Sequence, residues 1–333
     1  MSLSLQKKLN DMNEISPLIL GGAVFNVQYN DDPAKMPICD LLETSFKLGI
    51  NAIDTSPYYG PSEELLGDAL ARLTADGKIV RENYYLCTKV GRIRLDEFDY
   101  SPEWVEKSVR RSLQRFQTDY LDVVFLHDVE FTTLEETLGA LATLMKLKAE
   151  GLIRWVGVSG YPVDYLYTVA KTVKDDPEIG KLDLVMSYCN MCLQNTTLDT
   201  YYGRFLADTG VKLVNNASIL SMSLLRYQET RSFHPGSQAL KDRCNELAMV
   251  LKEKHNVDLA DLATRYAIGA WLPKKGKTVL GVSSIPELMA AWNQYQIVKS
   301  GASAEDDAWL FTFSQSFLGE HFNEVWDSGI KHS

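Results

Sequence analysis

Short apolar runs alternate along this chain with longer stretches whose apolar residues recur every three to four positions. The runs are Leu18–Phe25, Asn51–Asp54, Tyr84–Lys89, Leu121–His127, Ile153–Ser159, Leu184–Tyr188, Lys212–Asn216 and Thr278–Val282. Most read as near-continuous hydrophobic segments, the signature of parallel strands covered on both faces. Helix-period segments separate them, at roughly 37–48, 62–74, 102–117, 133–149, 163–175, 198–208, 238–255 and 285–298. Local start signals agree: Ser62 precedes Glu64 and Leu65, Pro102 follows Ser101, and Thr133 precedes Glu135 and Glu136. Eight strands, each followed by a helix, predict an α/β fold of the (β/α)8 TIM barrel type. Two pieces exceed the minimal barrel. One is a long loop after strand seven, from Ser218 to about Gly236; the other is extra C-terminal helical material, a helix near 258–270 and a tail from about 303. No linker-like stretch divides the chain, so a single barrel domain over residues 1–333 is expected.

Composition narrows the classes of partner. With 34 Lys and Arg against 44 Asp and Glu, the net charge is −10, which argues against nucleic acid or an anionic membrane surface. The N-terminus lacks the apolar core of a signal peptide, and no stretch of apolar residues is long enough to span a bilayer. Five cysteines scattered through apolar segments fit a reducing compartment. A soluble, cytoplasmic protein is expected, as a monomer or a homodimer. Cys189 and Cys192 have the spacing of a redox or metal pair, but a lone pair at a strand end reads better as packing.

The chemistry concentrates in the run from Asn51 to Glu63. An apolar strand ends in Asp54, a turn carries Tyr59, and a helix opens. Lys89 closes the next apolar run and His127 the one after. Singly, Asp54 reads as a turn former, Tyr59 as a packed aromatic, Lys89 as a solvated strand end and His127 as a core histidine. Jointly, they stand where barrel enzymes place their reacting groups, at successive strand ends. Such a set suits proton transfer at a carbonyl or alcohol oxygen. Tyrosine, with a reference pKa of about 10, needs a neighbouring cation to act as a base, and Lys89 can supply it with Asp54 holding the ammonium. His127 can orient the substrate oxygen. No side chain donates hydride, so a nicotinamide cofactor is implied.

The segments Asp54–Glu63, Thr88–Gly91, Asp122–His127, Gly157–Gly160 and Val279–Ser283 resemble the aldo-keto reductases, in family order and across nearly the whole chain. The resemblance implies a barrel enzyme in which Tyr59 is the general acid/base, Asp54 and Lys89 tune it, and His127 positions the substrate oxygen. It also implies an extended dinucleotide across the strand ends. Further matches at His127–Phe131, Ser159–Pro162, Leu184–Asn190, Asn216–Leu225 and Phe233–Gly236 resemble the sugar-oxidising branch of the family. That branch implies oxidation of the C1 hydroxyl of an aldose to the aldonolactone, with Tyr59 as a partial phenolate, on a route to D-erythroascorbate. D-arabinose, L-galactose and L-fucose all remain open as substrates. The competing readings are an NADPH-dependent aldehyde or ketone reductase and a non-catalytic regulatory barrel.

Members that prefer NADP carry a lysine and an arginine after strand eight. Aligned on Asn293, those positions are Ser283 and Met289, so NAD is expected, with Glu287 accepting the ribose 2′-hydroxyl. The amides around Gly281, Ser283 and Ser284 read as a phosphate cradle. Ser218, Leu220, Ser221 and Met222 match the segment that folds over the pyrophosphate. The usual Ser–Asn pair after strand five reads Ser159-Gly160, Ser187 stands near the usual strand-six glutamine, and the stacking tyrosine is replaced by Ala217 beside Asn216. A sugar also needs hydroxyl partners and an aromatic face, for which Asn26, Tyr58, Asp128 and His234 are the candidates.

Overall fold

The computed structural model describes residues 9–332. Its main sheet is a closed barrel of eight parallel strands: β1 (Leu18–Gly21), β2 (Ala52–Asp54), β3 (Tyr85–Val90), β6 (Leu121–Leu126), β7 (Ile153–Gly160), β8 (Leu184–Tyr188), β9 (Leu213–Ala217) and β10 (Thr278–Gly281). Strands β1 and β10 close the circle, in register from Leu18 opposite Thr278 to Gly21 opposite Gly281. A short antiparallel hairpin, β4 (Arg92–Arg94) and β5 (Glu97–Phe98), follows β3 and was not anticipated from the sequence. Its residues are too few and too polar to stand out from loop. The first strand is also shorter than expected, because Gly22–Val24 turn into a 3-10 helix.

The helices are α1 (Ile38–Lys47), α2 (Ser62–Ala75), α3 (Pro102–Phe116), α4 (Leu134–Ala149), α5 (Val163–Val173), α6 (Thr197–Arg204), α7 (Gln238–His255), α8 (Leu259–Trp271), α9 (Ile285–Ser300) and α10 (Ala304–Leu318). The start signals act as caps: Ser101 and Thr133 accept from the backbone amides of Trp104 and Glu136. Ser62 instead lies inside α2 and bonds the Gly22 carbonyl.

The seventh barrel helix is corrected. The sequence reading assigned it to 238–255 and treated 258–270 as the addition. In the structure Ala267, Ile268 and Trp271 of α8 join the core between barrel and helices, and the Trp271 indole donates to the Val214 carbonyl of β9 at 2.9 Å. Helix α7 instead packs Leu240, Leu247 and Leu251 with Leu310 and Leu318 of α10 in a separate cluster. Periodicity reports that a helix has an apolar face, and both do; it does not report what that face meets.

Inside the barrel, Ile19, Ala52, Tyr85, Cys87, Val123, Phe125, Leu184, Met186, Leu213 and Val279 form the interior packing, with Leu9, Met12 and Ile15 in the same cluster. Among the described residues no helix is long and apolar enough to cross a membrane.

Candidate active site

Strand periodicity builds the site. Side chains alternate sides along a strand, so Ala52 inside the barrel puts Asp54 inside too. By the same step Tyr85 and Cys87 lead to Lys89, and Val123 and Phe125 lead to His127. The three polar groups therefore form the top layer of the barrel filling, at the carboxyl ends of the strands. Lys89 is 2% exposed and Asp54 4%. The ammonium donates to Asp54 Oδ1 at 2.5 Å and to the Thr55 carbonyl at 2.9 Å. Tyr59 enters from the turn after β2, whose amide donates to the Ser56 carbonyl at 3.0 Å. Its ring centroid lies 5.0 Å from Lys89 Nζ and 5.8 Å from the His127 ring, edge-on. All four expected residues meet in one neighbourhood.

Burial and charge set the protonation states. Burial pulls the Lys89 ammonium down, but Asp54 and then Tyr59 outweigh it, so the group stays protonated above its ordinary value. Burial pushes Asp54 up against the pull of Lys89. Tyr59 is pushed up to about 12 by burial, with Lys89 lowering it and Asp54 and Asp128 raising it. Burial thus outweighs the ammonium here and favours the neutral phenol over the phenolate. His127 is held well below its ordinary value by burial, then by Lys89 and Arg92, and is neutral. Ser56 Oγ accepts the Tyr58 amide at 3.1 Å and sits 3.1 Å from His127 Nδ1. We assign the hydroxyl proton to that contact, which leaves the His127 proton on Nε2, 3.6 Å from Asp128 Oδ2.

Asp128 directly follows His127 with φ of 50°, a left-handed conformation unusual for a non-glycine residue. Tyr100 holds it there, donating its hydroxyl toward the His127 and Asp128 carbonyls at 2.6 and 2.9 Å. A Cβ on Gly91 would stand 2.3 Å from the Tyr100 ring, so this pin requires glycine at 91. Arg92 then donates to Asp128 Oδ2 at 2.6 Å while its guanidinium covers the Tyr58 ring at 4.2 Å. Arg92 and Tyr100 carried no signal in the sequence beyond lying just after a strand. Glu63, fully buried, accepts from Thr88, Ser112 and Arg115 and ties α2 to β3 and α3 behind the site.

Other expected contacts divide. Tyr58 lies edge-on to His127 at 5.9 Å. Asn26 spends both ends of its side chain on its own loop, Nδ2 to the Ala23 carbonyl and Oδ1 from the Gln28 amide, each at 2.6 Å. His234 is corrected as a substrate contact: it is buried, its Nδ1 accepts from the Gly236 amide and its Nε2 meets the Ser221 carbonyl, so both nitrogens serve the loop. Ser187 is likewise buried and engaged with the Tyr161 carbonyl and the Asn190 amide. Ser159 Oγ lies 3.4 Å from the Leu126 carbonyl. At Gly160, where a relative's amide side chain was expected to be missing, a Cβ would stand 2.2 Å from Glu130 Oε2; a carboxyl group fills the space.

Ser283 and Ser284 open α9, with Ser284 Oγ accepting from Glu287 N. Ser218, Ser221 and Met222 all take positive φ in the long loop, with Leu220 between them. Asn293 is exposed on α9, and Gly281 ends β10. Buried atoms without a partner among the described residues include Asn216 Oδ1 near the end of β9, Ser221 Oγ in the long loop and Glu130 Oε2 in the turn after β6. Such spare hydrogen-bonding capacity fits a polar, amide-bearing ligand, and barrels commonly bind phosphate at the loops after strands seven and eight.

The Aldo/keto reductase family profile matches residues 17–305, and the chain belongs to that family of oxidoreductases, whose members use nicotinamide cofactors. It is 49% identical to D-arabinose 1-dehydrogenase of Saccharomyces cerevisiae, over 98% of each chain. It is 34% identical to L-galactose dehydrogenase of Arabidopsis thaliana, over 95% of this chain and 92% of that one. The solved aldo-keto reductase of Bacillus halodurans shares the fold, with TM-score 0.61 at 23% identity over 86% of this chain and 92% of that one.

Proposed function

We propose that this protein oxidises the C1 hydroxyl of an aldose, D-arabinose in the first place, to the aldonolactone with NAD. The observation that carries the reading is the 49% identity over 98% of the chain to a D-arabinose 1-dehydrogenase. Bound nicotinamide supplies the hydride acceptor. The protein's own part is the proton and the geometry. Tyr59 would take the C1 hydroxyl proton as hydride leaves C1, helped by the Lys89 ammonium, which Asp54 and the Thr55 carbonyl hold in place. His127, neutral and with its proton on Nε2, would donate to the same substrate oxygen. Tyr58 and the Arg92–Asp128 pair would border the sugar. NAD is favoured because the segment Ser283–Leu288 carries no cation, and Arg226, which does approach it, is already engaged by Glu287. The lactone is proposed to lead toward D-erythroascorbate.

The test is an initial-rate panel of D-arabinose, L-galactose and L-fucose with NAD and NADP, at neutral and alkaline pH. D-arabinose with NAD should give the highest kcat/KM. Absence of aldose turnover, with reduction of simple aldehydes by NADPH, would replace this reading with the reductase one.

A further inference from the structure

After α10 the chain returns across the carboxyl ends of β8, β7 and β6. It is pinned first at Gln194, whose amide group donates to the His321 and Glu324 carbonyls at 2.9 and 3.0 Å. Trp326 then stacks on Tyr161, just after β7, with ring centroids 4.4 Å apart, and lies edge-on to His234 of the long loop. Beyond it the segment seats on Glu130, in the turn after β6. Ser328 donates to Glu130 Oε1 at 3.2 Å, and the Ile330 amide donates to the Glu130 carbonyl at 2.7 Å. His332 Nε2 meets the same carbonyl at 3.0 Å while its ring stacks on Tyr165. Between them Gly329 has φ of +83° and runs so close that a Cβ would stand 2.2 Å from that carbonyl oxygen.

Glu130 itself is fully buried. Its Oε1 also accepts the Tyr161 amide at 2.8 Å, whereas Oε2 has no partner among the described residues. Arg92, whose guanidinium covers the Phe131 ring on this turn, is committed to Asp128. A carboxylate with one bare buried oxygen is costly without a cation, and the neutral acid costs less. We propose that the Glu130 proton is the latch of a strap: the neutral carboxyl holds residues 326–332 against the barrel mouth, and its ionisation lets them go. The inference does not depend on which substrate or dinucleotide the protein uses. The groups around the carboxyl agree in sign. Asp128, on its own turn, opposes ionisation, while Tyr100, Tyr165 and Tyr188 stand near it as phenols and His332 bonds its carbonyl. Burial, then Asp128, raises Glu130 from 4.5 to about 8, whereas a released strap returns the carboxyl toward water and its ordinary value. The docked state therefore holds the extra proton, and docking weakens as pH rises from 4.5 to about 8.

The experiment is hydrogen–deuterium exchange, read by mass spectrometry on the peptide from Trp326 to His332 and corrected for the intrinsic pH dependence of amide exchange. Wild type, Glu130→Gln and Gly329→Ala are compared from about pH 5 to about pH 9, with melting curves to verify folding. Wild-type protection should fall by up to about tenfold per pH unit until about pH 8 and level off above it. Glu130→Gln has the shape of the neutral acid and cannot ionise, so its strap should stay protected throughout. Gly329→Ala leaves Glu130 intact but drives a Cβ into its carbonyl, so its strap should be unprotected at every pH. A flat wild-type profile would overturn the latch. An equal slope in Glu130→Gln would overturn it too, by assigning the titration to another group such as His332. Wild-type protection in Gly329→Ala would show that the strap is not seated on Glu130, with the same consequence.

Discussion

Removing the ammonium beside Tyr59 is the sharpest test of the proposed chemistry. In Lys89→Met the side chain keeps its length and loses its charge. Taking the 5.0 Å from Lys89 Nζ to the Tyr59 ring centroid as the charge separation, an ammonium and a phenolate attract by about 3 kcal/mol at an effective dielectric of about 20. Asp54 pushes the other way, more weakly than Lys89 pulls. The net support for the phenolate is therefore roughly 1–2 kcal/mol, or about one pKa unit. The sign follows from the cause. Lys89 lowers a phenol that burial has pushed up to about 12, so its loss raises the phenol further. Oxidation needs the phenol to accept a proton, so its rate climbs with pH, and the climb should move to higher pH in the variant. Initial rates of aldose oxidation from about pH 6 to about pH 10 would read both effects. At neutral pH kcat should fall between about tenfold and about a hundredfold.

A stranded carboxylate complicates the single variant, because Asp54 Oδ2 already lacks a partner and Oδ1 would lose its own. The Lys89→Met/Asp54→Asn variant removes both charges and restores a neutral interior. It should recover stability and leave oxidation depressed. A pH profile that superimposes on the wild type in both variants would remove Lys89 from the mechanism.

Tyr59→Phe should lower kcat by about a thousandfold while leaving NAD affinity within a few fold, and retained turnover would move the proton transfer elsewhere. His127 has a folded pKa well below its ordinary 6.5, so the unfolded chain binds more protons as pH drops below that value. Wild-type melting temperature should therefore fall faster than that of His127→Gln on acidification, and parallel melting curves would contradict a neutral His127. Glu130 shows the opposite case: burial, then Asp128, raises it from 4.5 to about 8. The folded state holds the extra proton, so stability should decline as pH rises through that window, and Glu130→Gln should flatten the decline.

The polar layer at the barrel mouth was legible because strand periodicity decides it. Once Asn51–Asp54, Tyr84–Lys89 and Leu121–His127 are read as parallel strands, the step of two that buries Cys87 and Phe125 carries Lys89 and His127 into the barrel mouth. No information beyond the local run is needed. The misread features all depend on what a side chain meets across the fold. Helices α7 and α8 each have an apolar face, but only the Trp271 contact with β9 identifies which one covers the barrel. His234 lies in the long loop after β9, and the loop's own amide and carbonyl claim both of its nitrogens.

The same distinction explains the absent amide at Gly160. Along the chain, glycine there is a deletion of function; in space, it is room for a carboxyl group 30 residues earlier, Glu130, whose Oε2 has no partner among the described residues. Likewise the stretch Ser283–Leu288 lacks a basic residue in sequence but not in space, since Arg226 reaches it from a loop some 60 positions upstream. Strand ends therefore announce the polar layer at the barrel mouth, whereas a pairing between loops such as Arg226 with Glu287 is visible only in space.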